Sequence, residues 1–305
     1  MRTHTCAVVQ GNIRRGTDEV LACLSRHFDR VILSTWDDEP TDKIPKGNFD
    51  LVLSRKPPVP GYTHRNFQRF GTAAGLRRAE ELGATHVLKW RTDMLPTKLD
   101  IKKLLEWSDY KVPLGFESRL VTCAFRNLTV KQDWFSTIPD LFAFAEIQLM
   151  KQLWGDESFD YSREMNVPDD MANEYGTKWR ERADVAGLYC PEAELYAIFK
   201  SRLQKQLHRT FTHIEIAKRY MFLFNHLRLG ICWFGERDGF RSITQALQHP
   251  WWSEWTWRYG SPNNVESGYP ESNWMQKLRR KHITRVAIRY EKYRQQKWYE
   301  AYQRK

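Results

Sequence analysis

The chain has 305 residues, of which 41% are hydrophobic and 28% charged, and its formal net charge is +11. No apolar run approaches the roughly 20 residues that a membrane-spanning helix needs, and the first residues lack the pattern of a secretory signal. The five cysteines are never spaced as Cys-x-x-Cys, which argues against a disulfide framework or a zinc site. These features favour a soluble cytoplasmic protein with a core large enough for one sizeable or two modest domains.

The positive charge is concentrated near the C-terminus. Residues 276–305 contain eleven Lys or Arg against two Glu, a net charge of +9, so the rest of the chain is close to neutral. The apolar residues of this segment recur at approximately helical steps: Leu278, Ile283, Val286, Tyr290 and Tyr293. The pattern predicts a basic amphipathic helix, and we expect it to contact an anionic membrane surface. A helix packed on the domain, or a protein or nucleic-acid partner, would use the same charges, although a basic surface across the whole chain is not predicted.

The first half of the chain alternates predicted strands and helices. Strands are expected over 5–12, 31–38 and 49–54, and a helix over 17–28 joins the first two. Prolines at 57 and 58 end the third strand, because proline has no N–H for the ladder. A strand-helix-strand order predicts parallel strands with a right-handed crossover, and therefore a doubly wound α/β sheet.

A second helix over 66–82 leads through Gly83 into a buried strand over 86–94. Ligands of α/β sheets bind beyond the carboxyl ends of the strands, and polar residues follow every predicted strand of this half. These residues are Gln10 and Asn12, Thr35 and Asp37, Ser54 and Arg55, and Arg91 and Asp93. Together they predict a nucleotide site at one edge of the sheet, although an Asp after a strand is also a common turn former.

Two polar residues in the first turn of the 66–82 helix extend this predicted site. Asn66 offers an amide and Arg69 a guanidinium, both suited to a base or a diphosphate. The alternative interpretation is a first turn that is simply solvated. The sequence leaves both interpretations open.

The second half has weaker periodicity. Helices are expected over 97–107, 138–154 and 190–203, strands over 120–125 and 230–234, and an irregular insertion over 155–189. Four tryptophans fall within residues 251–257, a density that usually reflects packing but also suits a sugar or a membrane interface. The half therefore predicts further sheet and helices, with an aromatic-rich, basic C-terminal region.

Several stretches carry a resemblance to one family. Val9-Gln-Gly-Asn12, Ser34-Thr-Trp-Asp37, the Asn66-x-x-Arg69 helix with its two glycines, and Leu82-Gly-Ala-x-x-Val-Leu-Lys-x-Arg-Thr-Asp93 resemble the WavE-type lipopolysaccharide-synthesis proteins. Those proteins are GT-A-fold glycosyltransferases of bacterial surface-polysaccharide clusters. The resemblance covers residues 5–95 and is traceable to about 235. It implies a GT-A-like doubly wound mixed sheet flanked by helices, with a helical C-terminal extension.

The resemblance also implies a reaction. The expected donor is a nucleoside-diphosphate sugar, and the expected acceptor is a lipid-linked glycan of lipopolysaccharide or capsule. Enzymes of this kind act at the inner face of a membrane, so the resemblance implies that the protein is peripheral on the inner membrane. Arg91-Thr-Asp93 resembles the Asp-x-Asp signature of the fold, with Arg91 in place of the first Asp. Asp93 is then the predicted ligand of a divalent cation, Mn²⁺ or Mg²⁺, and Arg91 can supply part of the cation's charge.

The remaining predicted roles follow from the same resemblance. The donor would contact Gln10, Asn12, Thr35, Asp37, Asn66, Arg69 and Arg91. Asp133 would hold the acceptor, and Glu192 would take the proton of its hydroxyl, with Asp133 and Asp140 as competing bases. The alternative interpretation of Glu192, which follows Pro191 in the first turn of a predicted helix, is that its negative charge stabilises the helix dipole.

The predicted domain organisation has a catalytic domain over 1–240 and a helical region over 241–305. The catalytic domain comprises a nucleotide-binding half over 1–95 and an acceptor half over 110–240. Two alternatives remain: a nucleotidyltransferase that activates a sugar, and a non-catalytic protein that binds membrane or RNA through its basic tail. The first should carry a Gly-rich triphosphate loop with a nearby Lys, and the segment Gln10–Gly16 offers only Arg14 and Arg15.

Overall fold

The computed structural model describes residues 3–44, 47–61, 64–110, 112, 115–122, 138, 140–156, 159–163, 166, 191–223, 229–234, 240–241, 289, 293, 297 and 300. The predictions for Asp133 and for the tryptophans of 251–257 lie outside these residues. So do most of the insertion over 155–189 and nearly all of the basic segment 276–305. Within the described ranges, no helix combines the length and the apolar character needed to cross a membrane.

Strands and helices alternate through the first half of the chain and mix less regularly afterwards. The strands are β1 Thr5–Gln10, β2 Arg30–Trp36, β3 Asp50–Ser54, β4 His86–Arg91, β5 Met94–Pro96, β6 Leu120–Thr122, β7 Ala143–Glu146, β8 Met221–Leu223, β9 Ile231–Phe234 and β10 Phe240–Arg241. The helices are α1 Thr17–Leu24, α2 Arg65–Glu81, α3 Ile101–Ser108, α4 Ile147–Trp154, α5 Pro191–Leu207 and α6 His213–Tyr220.

Within the described residues, seven strands form the main sheet in the order β3-β2-β1-β4-β7-β6-β8. The first four are parallel, β7 is antiparallel to both β4 and β6, and β8 is parallel to β6. Strands β10, β9 and β5 of the described residues form a separate antiparallel sheet in that order. The predicted α/β class with a mixed sheet is therefore confirmed, and strands from both predicted halves share one sheet.

The helices cover both faces of the main sheet. On one face, α1 packs Val20 and Leu24 into a core with Val9 and Trp90 of the neighbouring strands. On the other, α2, α4 and α5 share a core with Val8 and further apolar residues of β1, β2 and β4. Because the chain passes from β1 to β2 by one face and from β3 to β4 by the other, the crevice between β1 and β4 lies where the connections change face.

Two glycines bring α2 close to the sheet. A Cβ added to Gly75 would lie 2.3 Å from Cγ1 of Val8, and one added to Gly71 would lie 3.0 Å from Cγ of Gln10. The Oγ of Ser34 uses this proximity to donate a hydrogen bond of 2.6 Å to the carbonyl of Gly71. Because Gly71 and Gly75 have no side chains, α2 can pack this close to β1 and β2.

The predicted helix over 138–154 is wrong in its first part. Residues 143–146 form β7 instead, because this short buried run pairs with β4 at the centre of the sheet. The helix begins only at Ile147, where the Glu146 carboxylate caps it by accepting hydrogen bonds from the backbone N–H groups of Gln148 and Leu149. A short apolar run fits a buried strand as well as a helix, so the periodicity alone could not separate them.

Two other predicted boundaries change for one reason. The strand expected over 86–94 ends at Arg91, and the helix expected from 97 begins at Ile101 after its cap Asp100. Between them, Met94–Pro96 forms β5 and pairs with β9 of the second sheet. Residues 94–96 form a strand because they pair with a strand more than a hundred residues away in the sequence, and the local pattern carries no signal of that pairing.

Candidate functional site

A cavity of about 340 Å³ opens at the carboxyl edge of β1, β2 and β4, in the crevice where the connections change face. The turn after β1, the end of β2, the start of α2 and the Arg91-Thr92-Asp93 turn after β4 line it. Carboxyl ends of parallel strands meet at one edge, and the predicted convergence of polar strand ends is therefore seen for β1 and β4.

The base of the cavity is a close contact between the turns after β1 and β4. Gly11 has φ 135°, and a Cβ there would lie 2.8 Å from Oγ1 of Thr92. The same Oγ1 donates a 2.6 Å hydrogen bond to the carbonyl of Asn12. Nε1 of Trp36 donates to Oδ1 of Asn12 at 3.2 Å, which fixes the orientation of the amide. The base of the site is thus ordered before any ligand binds.

One side of the cavity is aromatic. The ring centroids of Trp36 and Phe67 are 5.4 Å apart, and those of His64 and Phe67 are 5.7 Å apart with an interplanar angle of 24°. His64 has φ 62° and immediately precedes α2, so its ring lies one turn before Phe67. Aromatic faces of this kind stack on planar or sugar-like ligands.

The cavity is also lined by Arg91, an arginine held between two carboxylates. Nε and Nη2 of Arg91 donate to Oδ1 and Oδ2 of Asp93, both at 2.9 Å, and Nη1 donates to Oδ2 of Asp140 at 2.9 Å. Burial by itself lowers the pKa of Arg91, but the two carboxylates outweigh burial and raise the pKa above its ordinary value. The guanidinium therefore stays charged and keeps one orientation.

Lys89 adds a second cation behind this triad of Arg91, Asp93 and Asp140. Its side chain is fully buried, lies 4.9 Å from the ring centroid of Trp154, and donates a hydrogen bond to the backbone carbonyl of Asp140. Burial lowers the pKa of Lys89 to about 8, and the carboxylates, Asp140 first, limit the decrease. Lys89 thus binds the backbone carbonyl of Asp140, and Arg91 binds the carboxylate of the same residue.

The predicted donor-binding residues divide into two groups. Gln10, Asn12, Arg91 and the predicted metal ligand Asp93 line the cavity. Thr35 is buried away from it, and its Oγ1 has no hydrogen-bond partner within the described ranges.

Three further residues of that prediction lie elsewhere. Asp37 is exposed beyond the end of β2 and is not among the lining residues. Asn66 and Arg69 lie on a different face of α2. Nδ2 of Asn66 donates to the carbonyls of Val59 and Arg163, and Arg69 lies over the ring of Phe159 at 4.1 Å.

Of the predicted catalytic residues, Glu192 is not among the lining residues of the cavity, and Asp133 lies outside the described residues. Glu192 lies in the first turn of α5, where its backbone carbonyl accepts a hydrogen bond of 3.3 Å from the N–H of Ile138. Its carboxylate is close enough to Lys89 to oppose the fall of the lysine pKa. Its role as a base, and that of Asp133, stay predictions.

Several lining residues were missed by the sequence reasoning. His64, Phe67 and Gln68 follow the i, i+3, i+4 spacing of one helix face, and that spacing would have separated them from Asn66 and Arg69. Arg14 and Lys56 line the cavity from loops after β1 and β3, where no periodicity identifies them. Lys89 does not line the cavity but contacts Asp140, and it had a usable signal, because a lysine in the middle of an apolar strand is unusual.

The predicted divalent cation does not fit these residues. Both carboxylate oxygens of Asp93 accept hydrogen bonds from Arg91, and the same guanidinium contacts Asp140. A divalent ion at Asp93 would therefore lie beside a fixed positive charge. Across the described part of the chain, no group of three or more His, Cys, Asp or Glu residues could hold a metal ion.

No protein-family model and no curated protein matches the chain. Among solved structures, the chain is similar to the crystal structure of A197 from STIV, with 10% sequence identity and a TM-score of 0.35. That similarity covers 77% of this chain and 87% of A197.

Proposed function

We propose that this protein is a glycosyltransferase with a GT-A-like catalytic domain. It would move a sugar from a nucleoside-diphosphate sugar to a bacterial surface polysaccharide, lipopolysaccharide or capsule. The observation that carries the proposal is one cavity at the carboxyl edge of a parallel sheet that joins an aromatic side to a fixed guanidinium. A nucleotide has the matching pair of features, a planar base and an anionic diphosphate.

The donor would bind with its base against the aromatic side. Phe67 and His64 offer nearly parallel ring faces. The diphosphate would then meet Arg91, with Arg14 and Lys56 adding positive charge at the cavity. The amides of Gln10 and Asn12 are left to hydrogen-bond the base or the ribose.

Transfer requires the bond between the anomeric carbon and the diphosphate oxygen to break, with the electron pair staying on the diphosphate. Arg91 lowers the barrier by stabilising that growing negative charge. The acceptor hydroxyl forms the new bond to the anomeric carbon and gives its proton to a carboxylate. Glu192 and Asp133 are the proposed candidates, because the carboxylate of Asp140 already binds Arg91.

The acceptor would be lipid-linked, and the basic segment 276–305 would attach the enzyme to the anionic inner face of the membrane. Nucleic acid is not a proposed partner, because the charge outside that segment is close to neutral. This part of the proposal rests on the sequence pattern and on the resemblance.

The proposal is tested by calorimetry of the purified full chain with UDP, GDP, ADP and CDP and with their common sugar conjugates. We expect one base to bind selectively. Phe67→Ala should weaken that binding about 5-fold or more, since stacking of a base on an aromatic ring contributes roughly 1–3 kcal/mol.

Phe116→Ala is the matched control, because Phe116 is also half-buried but packs against Tyr220, away from the cavity. Its dissociation constants should equal those of the wild type. Equal weakening by the two variants, or no selective binding by a folded sample, would contradict the proposal.

A further inference from the structure

The triad of Arg91, Asp93 and Asp140 contains the predicted metal ligand, Asp93, and two of its members, Arg91 and Asp93, line the cavity. We infer that the Arg91 guanidinium replaces the divalent cation, so that the diphosphate binds and departs without a metal ion. This inference rests on the donor site proposed above. Asp93 and Asp140 are positioning residues that hold this guanidinium toward the cavity.

The hydrogen bonds of the triad support this assignment first. Three nitrogen atoms of Arg91 each contact a carboxylate oxygen at 2.9 Å, two of them on Asp93 as a bidentate pair. Bidentate pairing fixes the plane of the guanidinium as well as its position. The side chain is nevertheless 24% exposed and lines the cavity, so a ligand can reach it.

The position of the carboxylates argues against a metal at the same place. A catalytic Mg²⁺ or Mn²⁺ binds through carboxylate oxygens that are oriented toward it, usually together with phosphate oxygens and water. Here Asp93 presents both oxygens to Arg91, and Asp140 presents one. A divalent ion that used these oxygens would sit next to the guanidinium and be repelled by it.

The local charge balance indicates what the cavity attracts. Arg91 and Lys89 compensate the two carboxylates, so the triad with its lysine does not repel an anion. Arg14 and Lys56 then add positive charge to the lining. A nucleoside diphosphate would thus meet fixed cations supplied by the chain itself.

The same arrangement serves the reaction. When the bond to the anomeric carbon breaks, the electron pair remains on the terminal oxygen of the diphosphate, and the acceptor hydroxyl completes the new bond as it loses its proton. Charge accumulates on the leaving diphosphate, and Arg91 is already oriented to receive it. No step in this sequence requires another cation.

The test measures binding of UDP, GDP, ADP and CDP to the full chain by calorimetry, once in EDTA and once in excess MnCl₂. We expect the selected diphosphate to bind in EDTA with a dissociation constant within about threefold of that in MnCl₂. Binding that appears only with MnCl₂ would overturn the inference and leave the proposed function in place. Binding of no nucleotide under either condition would overturn both.

Two variants identify the residue responsible. Arg91→Lys keeps a positive charge but loses the bidentate geometry, and it should weaken binding in EDTA about tenfold. Arg77→Lys is the matched control, because Arg77 pairs with Asp156 on the surface and is not among the lining residues. Equal binding by Arg91→Lys and the wild type, with unchanged melting temperature, would contradict the inference.

Asp93→Asn separates a positioning residue from a metal ligand. Asp140 still holds Nη1 of Arg91 in this variant, so binding in EDTA should fall by only a few-fold and MnCl₂ should not change it. A loss of binding that occurs only in MnCl₂ would identify Asp93 as a metal ligand and refute the assignment.

Discussion

The buried ion pair between α2 and α5 allows a quantitative test with two arginines on one helix. Nη1 of Arg65 contacts Oε2 of Glu194 at 2.6 Å, and the two side chains are 1% and 0% exposed. The other oxygen of Glu194 accepts a hydrogen bond from the backbone N–H of Asn166. Arg69, one turn further along α2, is 2% exposed, and its Nη1 and Nη2 have no hydrogen-bond partner within the described ranges.

The same substitution should therefore have different effects at the two positions. Arg65→Met leaves the Glu194 carboxylate buried without its cation, which typically costs about 3–5 kcal/mol of unfolding free energy. At roughly 2–4 °C per kcal/mol for a large domain, the melting temperature should fall by roughly 6–20 °C. Arg69→Met removes a cation whose pKa burial has already lowered to about 10, so we expect the stability to stay the same or rise by about 1 kcal/mol.

Thermal and urea unfolding of the two variants and the wild type, at one protein concentration, measures the difference. The double variant Arg65→Met/Glu194→Leu removes both charges and should recover most of the loss, apart from the hydrogen bond to Asn166. An Arg69→Met variant as unstable as Arg65→Met would refute the reasoning, because it would mean that Arg69 is paired as strongly as Arg65.

Three further predictions concern α2, β4 and α4. Gly75→Ala should lower the unfolding free energy by about 1–3 kcal/mol in urea unfolding, despite the better helix propensity of Ala, because the added Cβ would clash with Val8. The double variant Gly75→Ala/Val8→Ala should recover part of this loss. If the losses of the two single variants simply added in the double variant, the proposed clash would be contradicted. Lys89 is fully buried, with its pKa lowered from 10.5 to about 8, so between these values the unfolded chain binds more protons than the folded one. The unfolding free energy of the wild type should therefore rise with pH relative to Lys89→Met, by at most about 1.4 kcal/mol per pH unit, and parallel pH profiles would contradict this. Arg202→Met removes three hydrogen bonds of 2.9–3.1 Å, which the guanidinium donates to two carbonyls in the last turn of α4 and to the carbonyl of Gly155. Backbone hydrogen exchange in α4 should therefore accelerate at least tenfold, while exchange in β1 is unchanged. If α4 exchanged at the same rate in the variant and the wild type, the capping role of Arg202 would be contradicted.

The sequence predicted the elements of the first half because their signals are local. Apolar runs, glycine stops and proline breaks define β1 to β4 and α2 to within a few residues. The polar residues after β1 and β4 also met at one cavity, since parallel neighbours end at the same edge.

The orientation of individual side chains could not be predicted in the same way. Successive residues of a helix differ by about 100°, so Asn66 and Arg69 lie on another face from Phe67, which reaches the cavity. At the end of β2 a single step along the strand decides between buried Thr35 and Trp36, which lines the cavity. Contacts such as Arg91 with Asp140 join residues 49 positions apart and leave no pattern in either segment.

The position of β1 between β2 and β4 has a consequence for how the molecule folds. β2 becomes available to β1 within the first 36 residues, but β4 follows only at residues 86–91, so one edge of β1 stays unpaired while the intervening chain is synthesised. Closing the longer loop costs entropy before its contacts form, and exposed strand edges invite pairing with other chains. The hydrogen bond from Thr92 to the carbonyl of Asn12 forms across this late pairing. Completion of the cavity should thus coincide with the step that removes the aggregation-prone edge, so refolding chains in which β4 has paired with β1 should also be the ones that no longer self-associate.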